Sequence, residues 1–547
     1  MNFKIALTSS LEKVFFETKD KKPSLSFASM MKNELFSFQA VICGEKKEFK
    51  NCIYAKVKIE SPLAPYIKIY AVGHVPVLCT GYSRGENDVY LSDQPGLYPD
   101  PLYELEDGEV FKIFYGQSRA LWLTCEPRGA LCGTFPVRIS LFNENDELLD
   151  TAEMTLRVIN EELPPLAIFN TGWFHADSLA VYHRVPMMSD AHFDLIDRYM
   201  GYYAKFGHNT ILTPVFTPPL DTQVGGERPT MQLVSVERKD GTYAFDFTLL
   251  RRWISLTRKH GIANLEISHL FTQWGAYHAP KIMAYENGEY KRIFGWETDA
   301  TSDEYKAFLS AFLPALTAFL KKEYDPNHCF FHISDEPNEE QLDSYAAAKA
   351  IVMPYLEGFT VIDASSHYEY YEEGIVEHPI VGLNFAKKFI ENNVKPLYLY
   401  YCISQFYEVS NRFITMPSYR TRILGQQLYK YDASGFLHWG FNFWFEKLSR
   451  APIDPYTSPD AGGFFIAGDP FVVYPMKENG KMVPSLRLFV FYDAMQDLRA
   501  LRLLEEKIGR EKTFSLLSAI DGFTRYPKNA EHILSLREQI NRLIEEN

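Results

Sequence analysis

Between residues 166 and 442, short apolar runs alternate with helix-length amphipathic stretches. This alternation limits the fold more than any other feature of the 547-residue chain. The apolar runs lie at 166–173, 209–216, 263–270, 328–334, 358–364, 379–385, 396–403 and 435–442. Between them, helical patterns stand out at 190–206, 246–260, 302–323, 338–354 and 416–431, with Asp246 and Ser302 as N-caps. Eight strand–helix units predict a (β/α)8 TIM barrel, placed at 166–508. The alternative is a doubly wound open sheet, but no glycine-rich phosphate loop follows any of the runs.

The chain before this region has a different rhythm. Short alternating or apolar runs at 36–43, 52–59, 67–77, 120–125, 134–142 and 151–159 are separated by turn-rich segments such as 81–88 and 143–146. This spacing predicts a β-sandwich over 1–162, joined to the barrel by a stiff linker at 161–165. Beyond the eighth run, 447–468 is irregular and 469–475 reads as a short strand. Residues 484–508 form a helix with Leu486, Val490, Ala494, Leu498 and Leu501 on one face. Short helices over 509–547 are expected to pack on the barrel. The fold class is therefore multidomain, a β-sandwich followed by a TIM barrel and C-terminal helices.

Composition narrows the partners. A formal net charge of −14 argues against nucleic acid and against an anionic membrane surface. No run of 18 apolar residues exists to span a bilayer, and the first 20 residues hold no apolar export segment. The seven cysteines are scattered, odd in number and free of any CxxC pair, so they read as buried, reduced thiols of a cytoplasmic protein. Homo-oligomerisation is left open. Aromatic residues reach 15 %, and such rings either stack on sugar faces or fill cores.

The richest stretch is Cys329-Phe-Phe-His-Ile-Ser-Asp-Glu-Pro337, an apolar strand closed by two adjacent carboxylates and a proline. Pro337 fits the first position of a helix over 338–354 and would hold Glu336 extended. Asp335 and Glu336 then sit at a strand's carboxyl end, where barrels place their chemistry. Acidic residues there also suit a helix N-terminus. Other strand ends add Trp173, His175, His269, Trp274, His332, Tyr368, Tyr400, Tyr401, Trp439, Asn442 and Trp444. Aromatic faces, amides and two carboxylates on one rim suit a sugar. The tryptophans also suit a barrel-top core, and the histidines suit satisfied core positions. No HxH or HExxH motif is present and no GxSxG nucleophile elbow follows any of the eight runs, so neither a metal, another cofactor nor a serine nucleophile is expected. Adjacent carboxylates cannot easily flank a glycosidic bond at the roughly 5 Å that a nucleophile and acid need, which favours a mechanism without an enzyme nucleophile.

The segment His332-Ile-Ser-Asp-Glu-Pro337 resembles the catalytic signature of glycoside hydrolase family 123, the β-N-acetylgalactosaminidases. The blocks 212–221, 269–275, Ser410-Asn-Arg-Phe413, 436–443, 468–475 and Ser485-Leu-Arg487 look like further blocks of that superfamily, in particular of a broad bacterial branch. The resemblance implies a β-sandwich with a (β/α)8 barrel and a substrate-assisted retaining mechanism. It implies that Asp335 orients the 2-acetamido group while Glu336 acts as general acid and then base. It further implies a tyrosine on the acetamido oxygen (Tyr368, Tyr400 or Tyr401), a sugar floor from Trp439 or Trp444, and hydroxyl contacts from Arg412 and Asn442. Relatives act on glycosphingolipid glycans or related sugars. A cytoplasmic form would take small glycans or glycosides.

Three functions follow. One is an exo-acting β-N-acetylhexosaminidase, foremost for β-linked N-acetylgalactosamine. Another is a glycosidase for a sugar without the acetamido group, with Asp363 or Asp177 as second carboxylate. The last is a glycan-binding barrel without turnover.

Overall fold

The computed structural model describes residues 3–17, 23–47, 51–82, 89–476 and 480–547. Most of the turn expected at 81–88 lies outside the described residues. The N-terminal region is built of two five-stranded sheets. One runs in the order Phe3–Ser9, Phe36–Gly44, Ser118–Cys125, Ile67–Val77, Gly96–Leu105. The other runs Phe27–Met31, Leu148–Ile159, Gly133–Asn143, Cys52–Glu60, Phe111–Phe114. Alternate residues of both, such as Phe38, Ala40 and Ile42 against Val137, Ile139 and Leu141, fill one apolar core. The six expected strands are present. The strand Gly96–Leu105 escapes the sequence pattern because Pro99 and Pro101 interrupt it, and it sits at a sheet edge, where proline is tolerated.

The first sheet is buried on its second face too. Tyr70 and Trp122 each lie 5.8 Å from Phe489 of the helix Leu486–Ile508, and their side joins the main core of the molecule. Burial on both faces explains the almost unbroken apolar run Ala120–Cys125.

The second region holds a nearly closed barrel of nine parallel strand segments. In spatial order these are Thr360–Val361, Cys329–Phe331, Asn264–Ile267, Thr210–Thr213, Phe169–Gly172, Gly435–His438, Tyr398–Tyr400, Pro379–Gly382 and Asp363–Ala364. Nine segments stand where eight strands are expected because the fifth is divided at Ile362, and its two halves end the sheet on either side. Phe169, Leu212, Phe330, Ile362, Ile380, Tyr398 and Leu437 fill the interior. The barrel is thus a packed core, and its free space lies beyond the strands' carboxyl ends.

Two departures from the expected elements bear on the site. The helix expected at 338–354 begins later, at Leu342, after a single 3-10 turn Glu339–Gln341 capped by Asn338. Pro337 therefore precedes the cap instead of opening the helix. A four-stranded sheet, 235–239, 242–246, 282–286 and 289–294, inserts between barrel strands, beyond the eight expected strands. At the C-terminus the helix Ala530–Glu546 is long, at 17 residues, and packs on the N-terminal strand Phe27–Met31 as well as on the barrel. All seven cysteines are free, but Cys43 and Cys132 are exposed, contrary to the expected burial. Among the described residues no helix is long and apolar enough to cross a membrane.

Candidate active site

A cleft of about 210 Å³ opens at the carboxyl ends of the barrel strands. Asp335 and Glu336 both line it, with Trp173, Trp439, Trp274 and Tyr400 among the walls. Neighbours in an extended strand face opposite ways, so something must turn the chain between them. Glu336 does so with a left-handed backbone, φ +43°, and is not held extended as Pro337 suggested. The facing loop is bent likewise: Trp274, Gly275 and Ala276 all have positive φ, and Trp274 N donates to Asp335 O at 2.9 Å.

The two carboxylates have unequal surroundings. Tyr400 donates its hydroxyl proton to Glu336 Oε1 at 2.7 Å. Among the described residues no donor bonds to the Asp335 carboxylate. Burial and the charge of Glu336 push the Asp335 pKa well up, while His332 pulls it back down. Burial also raises Glu336, against the lowering effect of the Tyr400 hydrogen bond. The pair shares one charge more readily than two.

His332 lies beneath the pair and does not line the cleft. Its Nε2 bonds Glu266 Oε1 at 2.8 Å and its Nδ1 bonds Asp363 Oδ1 at 3.2 Å. Burial alone would lower its pKa, but the two carboxylates outweigh it and push it up to about 10, so the ring is an imidazolium. Glu266 also accepts from Trp173 Nε1 and Thr171 Oγ1, both at 2.7 Å, and so fixes the indole that lines the cleft. Asp363 is further bonded by Tyr345 and by Ile333 N. His269 stacks on His332 at 4.3 Å, and burial holds it neutral with both ring nitrogens unpartnered. His269, His332 and Asp363 form the one grouping of metal-ligand type among the described residues. An ion there would take one His332 nitrogen and one Asp363 oxygen, atoms that already hydrogen-bond.

Several expected contact residues prove to be supports. His175 accepts from Arg228 at Nδ1 (3.0 Å) and donates from Nε2 to Trp439 O (2.8 Å), so it sets the position of that tryptophan. Asp177 is bound to the same guanidinium at 2.9 and 3.1 Å. Asn442 clamps the His175 backbone through both its amide atoms. Trp439 itself is held by Asp469, Nε1 to Oδ2 at 3.0 Å. Three further expectations are corrected. Trp444 is buried in the main core with Nε1 on Val473 O, Arg412 is fully buried and bonds Gly440 O, and Tyr401 points outward to Phe436. None of the three lines the cleft. Tyr368 lines a neighbouring cavity instead.

Residues 173–504, more than half of the chain, match the family model for the glycoside hydrolase 123 catalytic domain. The chain belongs to glycoside hydrolase family 123. A family 123 glycoside hydrolase from Clostridium perfringens, studied for glycolipid glycan hydrolysis, matches over 100 % of this chain and 97 % of its own. Its TM-score is 0.73 at 16 % identity, a likeness of fold. The β-glucuronidase of Parabacteroides merdae covers 84 % of this chain and 49 % of its own at 11 % identity and TM-score 0.31. The endo-β-1,4-mannanase of Thermotoga petrophila covers 61 % and 78 % at 12 % identity and TM-score 0.34. No curated protein matches the sequence.

In this family 123 chain the blocks seen in the sequence divide into cleft and scaffold. The block 212–221 ends in Asp221, a cleft residue that strand counting missed. Its Oδ2 accepts from Leu448 N at 2.8 Å, and burial pushes its pKa up to about 6. The block 468–475 supplies Asp469, which holds Trp439, and Pro470 O, which accepts from Phe443 N. Arg412 and Arg487 belong to the scaffold. Lys447 and Tyr82 also line the cleft. Tyr82 comes from the N-terminal region, and nothing in its local sequence marks it; only the fold brings residues 78–82 against 460–467. Asp363 and Asp177, the expected second carboxylates, are tied into the networks above and do not line the cleft.

Proposed function

We propose that the protein is an exo-acting β-N-acetylhexosaminidase, foremost a β-N-acetylgalactosaminidase, that works by substrate assistance on a small glycan or glycoside. The observation that carries this reading is the Asp335 carboxylate: it faces the cleft without a protein donor, next to an acid that has one. An acetamido N–H is the donor it lacks. Bonded to Asp335, the acetamido group turns its oxygen toward the anomeric carbon. Glu336 gives its proton to the leaving oxygen as that bond breaks and the acetamido oxygen bonds to carbon. The positive charge of the resulting oxazolinium ion is met by Asp335. Glu336, now ionised, takes a proton from water, and the water oxygen opens the ring with net retention. Choice of the galacto sugar rests on the family.

The test is turnover of three nitrophenyl β-glycosides, the N-acetylgalactosaminide, the N-acetylglucosaminide and the galactoside, beside Glu336→Gln. Activity is expected on the acetamido sugars. Glu336→Gln should lower kcat/KM on alkyl leaving groups by about 10²- to 10⁴-fold. A trapped covalent sugar on the enzyme would overturn substrate assistance.

Asp221 in the cleft favours one second reading, a retaining glycosidase with Asp221 as nucleophile. In that case the plain galactoside is hydrolysed as fast as the acetamido sugar, and Asp221→Asn abolishes turnover.

A further inference from the structure

Two cavities adjoin along the C-terminal helix Ala530–Glu546, where it packs on the strand Phe27–Met31. One measures about 440 Å³ and the other about 500 Å³, and Phe27, Ser29, Ser535 and Glu538 line both. Neither shares a described wall residue with the cleft, so together they form a separate groove. Phe27 stands at their junction, 49 % exposed, and offers a flat ring. Ser37 lies in the wall of the first cavity and faces away from the sandwich core that Phe38, Ala40 and Ile42 fill. It is only 5 % exposed, and its hydroxyl has no hydrogen-bond partner. In the same wall Arg422 bonds Asp497 through Nε and Nη2, while its Nη1 lies 3.6 Å from Asp493, beyond hydrogen-bond reach.

We infer that this groove is a non-catalytic binding site for a neutral oligosaccharide of two or more rings. Charge balance disfavours an ion. Among the described residues five glutamates and four arginines line the two cavities. Three of those arginines are already held, Arg157 by Glu545, Arg537 by Glu34 and Arg422 by Asp497. Strand addition by a peptide is closed as well. Phe27–Met31 is a sheet edge, but Glu538 and Asn541 occupy Ser29 N and O at 2.9 and 3.0 Å, and Glu34 accepts from Met31 N at 3.0 Å. An acyl chain would cover Phe27 and leave the Ser37 hydroxyl unpaired. A sugar ring meets both demands, with its C–H face on the phenyl ring and its hydroxyls on Ser37 and Arg422. Two adjoining cavities suit successive rings.

The test is calorimetric titration of the full chain with lacto-N-tetraose, cellotetraose and maltotetraose, none of which ends in the sugar proposed for the cleft. 3′-Sialyllactose and laurate serve as anionic and acyl comparators. At least one tetrasaccharide should bind with a Kd of about 1 mM or tighter. Phe27→Ala should weaken that binding about tenfold and Ser37→Ala about threefold, with the wild-type Tm kept in both. Silence on all three tetrasaccharides, tighter binding of either comparator, or unchanged affinity in either variant overturns the inference. Binding is read without hydrolysis, so its failure leaves the proposed activity standing, and failure of that activity leaves the groove standing.

Discussion

Asp335 and Glu336 are chemically similar neighbours whose proposed roles need opposite charge states, so the residues around them decide the assignment. His332, positively charged between Glu266 and Asp363, favours ionised Asp335. Replacing it with glutamine removes that charge, raises the Asp335 pKa and should move the acid limb of the kcat/KM profile to higher pH. Tyr400→Phe removes the hydrogen bond that lowers Glu336, so the alkaline limb should also move to higher pH. Both follow from pH–rate profiles, and an unmoved limb contradicts the assigned role. His332 also leaves a mark on stability. Its folded pKa, about 10, lies above the ordinary 6.5, so its contribution is complete below about pH 6.5 and is lost as pH rises through about 10. The decline in Tm over that window should flatten in His332→Gln. At this scale the acid pair was legible from its motif. The role of His332 was not, because its partners are 66 and 31 residues away in sequence.

At the scale of the element, strand alternation separates residues that sequence leaves equivalent. Tyr400 and Tyr401 follow the same apolar run, yet Tyr400 faces the cleft and Tyr401 the outer core. Backbone fit decides other positions. Gly425 lies where the helix Tyr419–Lys430 meets Leu486–Ile508, and an added Cβ would come within 1.9 Å of Ala494 O. Gly425→Ala should force the helices apart and cost about 1–3 kcal/mol, read from denaturant unfolding. Gly275, at φ +107°, sits in the loop that bonds the Asp335 backbone, and a Cβ there meets Tyr277 and Gln341 below 3.0 Å. Gly275→Ala should lower kcat more than it lowers Tm, since the strain is local to the loop. Helices and strands of normal period were legible. The inserted four-stranded sheet and the late helix start were not, because strands of 5 or 6 residues are too short to stand out by period and a proline-led turn carries none.

Across the whole molecule, the two regions act as one. Lys13 donates to Ile414 O and Met416 O at 2.7 and 2.8 Å, beside the loops of the cleft. Asp100 holds Arg487 at 2.8 and 2.9 Å, and Arg487 in turn bonds Gly468 O and Phe471 O. Arg537 of the C-terminal helix joins Glu34 to Asp497, each at 2.7 Å. Arg537→Ala leaves two buried carboxylates short of a partner and should cost about 3 kcal/mol or more, measured by unfolding. The barrel region expressed without residues 1–162 should aggregate, because it would expose the apolar face of Leu486–Ile508 that Tyr70 and Trp122 cover. A soluble, active barrel fragment would contradict this.

Sequence alone determined what depends on near neighbours: the order of strands and helices, set by periods of 2 and 3.6, and the pair Asp335–Glu336 at a strand end. Tertiary structure decided which polar residues reach the cleft and which support it. Asp221, Glu266, Arg228 and Tyr82 enter or brace the site from three separate parts of the chain. The reason is physical. A buried charge is tolerated only where the fold supplies its partner, and that partner lies far off in sequence.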